Sequence, residues 1–148
     1  MNNFETLVVL EMNKRVLNIN LEGLSHEESL VAPAGGGNNI NWILGHMIIS
    51  RDDIREILGM GKVCDEAFAE KYARGTSTIA ADKAIKLDEL LKRFNDSQLS
   101  IEEAVGKTDF SEREKELKTL TFLAFHEAYH TGQTGLLRRI AGKSGAIK

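Results

Sequence analysis

Two short stretches hold three of the chain's four histidines at spacings that suit chemistry. The first is Phe125-His126-Glu127-Ala128-Tyr129-His130-Thr131-Gly132-Gln133, inside a proline-free run from Leu117 to Ile140 with apolar residues at helical spacing. Residues four apart on a helix project roughly 40° apart, so His126 and His130 share a face and can reach one divalent ion. The neighbours that continue their stripe, Thr119, Phe122, Leu123, Gln133, Leu137 and Ile140, are mostly apolar, which points the pair inward. The plainer alternative is that each ring only finds a hydrogen bond in the core. The second stretch, Asn38-Asn39-Ile40-Asn41-Trp42-Ile43-Leu44-Gly45-His46, adds a third imidazole on the inner side of another predicted helix.

With three imidazoles, His46, His126 and His130 become candidate ligands for one metal ion. At this point the chain resembles the DinB/YfiT-like superfamily, whose signature pairs a Trp-x-x-Gly-His helix with a later His-x-x-x-His helix. Here Trp42, Gly45 and His46 match the first part, and His126, His130 and Gln133 the second, over nearly the whole chain. The resemblance implies an all-α, four-helix bundle in up-down-down-up order. It also implies a metal-dependent enzyme that activates a low-molecular-weight thiol, of the mycothiol or bacillithiol kind, for S-transfer to a small electrophile. Hydrolysis of a small substrate by metal-bound hydroxide is the second enzymatic reading, and a non-catalytic metal-binding helical protein is the third.

His126 to His130 also spells His-Glu-x-x-His, the zinc-protease pattern. The longer protease pattern needs glycine at 133 and histidine at 136, where this chain has Gln133 and Leu136. Nothing after His130 supplies a carboxylate or histidine ligand, and an all-helical chain offers no substrate-binding sheet, so the protease reading is set aside. Glu127 lies about 100° from His126 on a helix, which suits a flanking group better than a general base. Asp53, Glu127, Tyr129 and Gln133 are the candidates to hold the far nitrogen of a ligating ring. Zinc or nickel is the foremost expectation for the ion, imidazole also suiting iron and copper.

These groups need helices to carry them. Phe4, Leu7, Val8, Leu10, Leu17 and Leu21 predict a helix over about 3–22, capped by Asn2 or Asn3 and ended by Gly23. Ser25 to Glu28 has the spacing of a capping box, and His26 beside it reads as solvent-exposed. Asn38 or Asn39 caps a second long helix running to Leu58, with Arg51, Asp52, Arg55 and Glu56 on its exposed face and Gly45 allowing a close approach. A short helix fits Glu66 to Tyr72. The third long helix is predicted over 79–105, capped by Ser77 or Thr78, with Ala84, Leu87, Leu91, Phe94, Ile101 and Val105 inward and a bend at Asn95–Ser97. The fourth follows the connector 106–113 and ends near Gly142. One small residue per turn on it, Ala124, Ala128, Gly132 and Gly135, permits a close contact inside the bundle or with a second copy, a possible homodimer.

Composition limits the function classes. The length suits one domain, residues 1–148. A net charge of -3 with interspersed signs lacks the basic stripe of a nucleic-acid binder. No apolar run reaches the roughly 20 residues of a membrane span. A single cysteine, Cys64, excludes an internal disulfide, and Met1-Asn2-Asn3-Phe4 has no secretory pattern, so a cytoplasmic protein acting on small molecules is expected, with Cys64 incidental.

Overall fold

The computed structural model describes residues 3–76 and 79–147. Among them the chain is all-helical: α1 (Phe4–Leu21), α2 (His26–Ser29), α3 (Ile40–Ile57), α4 (Glu66–Tyr72), α5 (Leu87–Lys107) and α6 (Glu114–Ile140). Local chemistry sets several of the boundaries. Ser25 and Glu28 form a complete capping box on α2, Asn39 Oδ1 accepts from Trp42 N at 2.9 Å to start α3, and Asp65 does the same for α4. Gly23, Gly59 and Gly142, all with φ near +70 to +90°, follow the ends of α1, α3 and α6.

The four long helices pack in a cycle, α1 on α6, α6 on α3, α3 on α5 and α5 on α1. One core cluster joins Leu17 and Leu21 of α1 to Ile43, Leu44 and Met47 of α3, Tyr72 of α4 and Leu90 and Phe94 of α5. A second, at the opposite end, joins Leu10, Ile54, Ile101, Val105, Leu117 and Leu120. Burial of these apolar side chains is the main force holding the helices together.

The contact between α1 and α6 is more polar than the apolar pattern of α1 suggests. Thr6, Asn13 and Asn20 recur every seven residues and are all buried. Thr6 Oγ1 meets Thr121 Oγ1 at 3.1 Å, Asn13 Nδ2 donates to the Ala124 carbonyl at 2.9 Å, and Asn20 Nδ2 donates to Thr134 Oγ1 at 3.1 Å. A Cβ on Gly135 would stand 3.4 Å from Asn20 Nδ2, so the small residues Ala124 and Gly135 serve packing against α1.

Five expectations change here. The third long helix starts at Leu87, not near residue 79. Tyr72 Oη accepts from Ile85 N, and Asn41 Nδ2 donates to Ile85 O at 2.8 Å, so both backbone groups of Ile85 are bound outside a helical ladder. The proposed caps Ser77 and Thr78, like Asn2, lie outside the described residues. Asn3 does not cap α1 by its side chain, which donates instead to the Val105 carbonyl. Arg51 and Asp52 are not exposed but buried, each at 2% exposure, and His26 is half-buried with Nδ1 unpartnered. α5 runs unbroken through Asn95, which exchanges side-chain hydrogen bonds with Asn18.

Candidate metal centre

His46 is presented by α3, and His126 and His130 by consecutive turns of α6, where those two helices face each other. Their ring centroids lie 5.3, 5.1 and 4.5 Å apart for the pairs 46–126, 46–130 and 126–130. One nitrogen from each falls within 4.8 Å of the other two. The structure therefore brings the three histidines together.

Hydrogen bonds on the outer nitrogens of His46 and His130 fix which atoms of those two rings are left. His46 Nδ1 is 3.1 Å from the Tyr72 carbonyl, which can only accept, so the proton is on Nδ1 and Nε2 is bare. His130 Nδ1 is 2.8 Å from Gln133 Oε1, and Gln133 Nε2 in turn donates to Tyr129 Oη, which orients the amide and leaves His130 Nε2 bare as well. His126 Nδ1 has only Ser50 Oγ, at 3.5 Å. His126 Nε2 and His130 Nε2 face each other at 3.1 Å. Because His130 Nε2 is bare, this contact is made either by an N–H of His126 donating to it or by a cation held between the two nitrogens. Tetrahedral coordination at about 2.0–2.1 Å places ligating nitrogens about 3.3 Å apart, close to this spacing. The donor set fits a divalent ion.

Burial favours the form that binds metal. It lowers the pKa of all three rings, that of His130, only 8% exposed, to about 4, with the other histidines adding to the effect on His126 and His130. Burial thus favours the neutral imidazole, the form that can ligate a metal ion.

Of the residues expected to support the rings, Gln133 and, through it, Tyr129 do so. Glu127 does not. It points into the bundle, where Arg51 grips both of its oxygens, Nε to Oε2 at 2.9 Å and Nη2 to Oε1 at 3.1 Å. Asp53 is exposed and makes no hydrogen bond to His46. The partner of His46 is a backbone carbonyl, a group with no side-chain signal in the sequence.

Gly45 explains how that carbonyl gets there. A Cβ at residue 45 would lie 2.3 Å from Tyr72 Cδ1, so only glycine lets the buried Tyr72 ring cross α3 at this point. Gly45→Ala is therefore expected to lose about 1–3 kcal/mol of stability through overpacking. A chemical unfolding midpoint unchanged from wild type would contradict this.

The histidines floor an open cavity of about 590 Å³. Trp42 stacks on His46 at 4.7 Å between centroids, and its Nε1 donates to Thr76 Oγ1 at 2.8 Å. Phe122, Tyr129, Leu136 and Leu137 form the α6 wall, and Pro33 with Gly36 and Gly37 the opposite rim. The inward stripe expected on α6 thus divides: Leu123 and Leu137 are buried, while Phe122 is 60% exposed and walls the cavity. Cys64 is absent from this lining, and burial, reinforced by Asp52, pushes its thiol up to about 12, which suits an inert side chain.

The family profile of the DinB superfamily matches residues 10–134. The chain belongs to the DinB superfamily. A search of curated proteins found no match. For this DinB protein the matched segment spans both histidine stretches and all six helices in whole or part. No described helix is long and apolar enough to cross a membrane.

Proposed function

We propose that this DinB protein is a metal-dependent enzyme in which His46, His126 and His130 hold one divalent ion, zinc or nickel foremost, and that it activates a low-molecular-weight thiol for transfer to a small electrophile. The observation that carries the reading is the convergence of three imidazole rings, with Nε2 of His46 and of His130 bare, on the floor of an open cavity. Three neutral protein ligands leave a coordination position free, the arrangement of catalytic sites. An ion held there supplies Lewis acidity that lowers the pKa of a bound thiol or water toward neutrality. The chain's own part is to orient and to shelter. Tyr72 O and Gln133 fix the tautomers of His46 and His130, while Trp42, Phe122, Leu136 and Leu137 cover an apolar portion of the substrate.

The finer architecture we propose is a single-domain four-helix bundle in up-down-down-up order. Contacts between α1 and α6 advance together along both helices (6 with 121, 13 with 124, 20 with 134), which supports a parallel pair. Those between α3 and α6 run oppositely (50 with 126, Ile57 with Arg113), which supports an antiparallel one.

A cobalt-substituted sample tests the thiol reading, because a sulfur ligand changes the visible spectrum. Adding a small thiol is expected to shift the bands, and Cys64→Ser is expected to leave both the shift and metal-dependent transfer intact. A spectrum indifferent to thiols but responsive to pH would favour the hydrolytic alternative. Transfer lost in a Cys64→Ser variant that keeps its metal would point to a protein thiol as the attacking group.

A further inference from the structure

Among the described residues one cationic side chain, and no carboxylate, lines the cavity. Arg74 is among the lining residues, which include no Asp or Glu. Among the described residues its guanidinium has no ion pair and no hydrogen bond.

The turn that carries Arg74 is fastened to the site on both sides. Before it, the Tyr72 carbonyl binds His46 Nδ1; after it, the Thr76 hydroxyl receives Trp42 Nε1 and donates to the Ala73 carbonyl at 2.8 Å. Gly75, at φ +87°, supplies the left-handed residue that closes the turn. An arginine held at the rim by two anchors to the candidate ligand and its stacking partner differs from an incidental surface charge. Three neutral imidazoles bring no negative charge, so an ion on them and Arg74 would together leave the cavity strongly cationic. A ligand that satisfies both ends must be anionic. A single guanidinium pairs with one carboxylate by two parallel hydrogen bonds and balances its single charge, which makes a carboxylate the simplest match for the one cationic side chain of this rim.

We propose that Arg74 is a specificity-determining residue that docks a carboxylate at the rim while the other end of the same small molecule reaches the three histidines. The proposal rests on the metal-site reading above and narrows its substrate to small carboxylate-bearing molecules, carboxylate-bearing thiols first. Arg74 touches the ligand and not the reacting atoms.

Trp42, the chain's only tryptophan, lines the same cavity and reports occupancy by its fluorescence. The test titrates zinc-loaded wild type and Arg74→Gln with two matched pairs, 3-mercaptopropionate against 2-mercaptoethanol and 3-phenylpropionate against 3-phenylpropanol. Because Arg74 is exposed, the substitution leaves the fold undisturbed. Wild type is expected to prefer the carboxylate of each pair, and Arg74→Gln to weaken the carboxylates about tenfold while the neutral partners are unchanged. If only the phenyl pair behaves so and neither thiol binds, the carboxylate proposal stands and the thiol reading falls. Carboxylates bound as well by Arg74→Gln as by wild type, or no carboxylate preference in either pair, including no detectable binding, overturn the proposal whatever the fate of the thiol.

Discussion

Glu127→Ala is expected to lose about 3–5 kcal/mol of stability, enough to leave the protein marginally folded. Glu127 and Arg51 form the one ion pair among the described residues with both side chains buried, each at 2% exposure. Arg51 is further held by the Phe94 carbonyl, Ser97 Oγ and Gln98 Oε1, and its guanidinium lies 3.4 Å from the centre of the Phe94 ring. Removing the carboxylate strands a guanidinium in the interior, where an unpaired charge is far more costly than the absence of the pair. The double variant Arg51→Met with Glu127→Leu should accordingly lose less than the sum of the single variants. Denaturant unfolding of the three variants measures this, and a Glu127→Ala protein within about 1 kcal/mol of wild type would mean the pair is hydrated. Because the pair ties α3 to α6 one residue beyond His126, it also sets the relative position of the helices that carry the three histidines.

His126→Ala and His130→Ala are each expected to abolish stoichiometric metal binding while helical content stays close to that of wild type. The two apolar clusters lie above and below the histidines and draw on all four long helices, so the fold does not depend on the ion. His126 is half-buried at the cavity edge, and its replacement opens the cavity without exposing either cluster. Circular dichroism and elemental analysis on the same sample separate the possibilities. Loss of helix together with metal would mean that the ion is structural, and would favour the non-catalytic reading over the enzyme.

Much of this arrangement is legible in the residues, and what is not has identifiable physical causes. The caps at Ser25, Asn39 and the glycines after the helices announce themselves because each satisfies a backbone group in a stereotyped way. The four-residue spacing puts His126 and His130 on one face of α6, the family resemblance adds His46, and Gln133 lies one turn from His130, within reach of its Nδ1. α6 misleads because apolar side chains surround it: Phe122, Phe125, Tyr129 and Leu136 are exposed, and periodicity cannot separate a cavity wall from a core. Arg51 misleads in the opposite sense, since its burial depends on Glu127, 76 positions away, which no local pattern records. Arg74 carries no motif at all. Its place follows from Tyr72 and Thr76, whose roles emerge only once α4 packs over Gly45.

The most direct test of a three-histidine metal centre is X-ray absorption at the zinc edge of the loaded protein, without added thiol. Three imidazole nitrogens at about 2.0–2.1 Å with one further light atom are predicted. A sulfur neighbour in that sample, or a shell of oxygens with fewer than three imidazoles, would contradict the assignment of His46, His126 and His130 as the ligands.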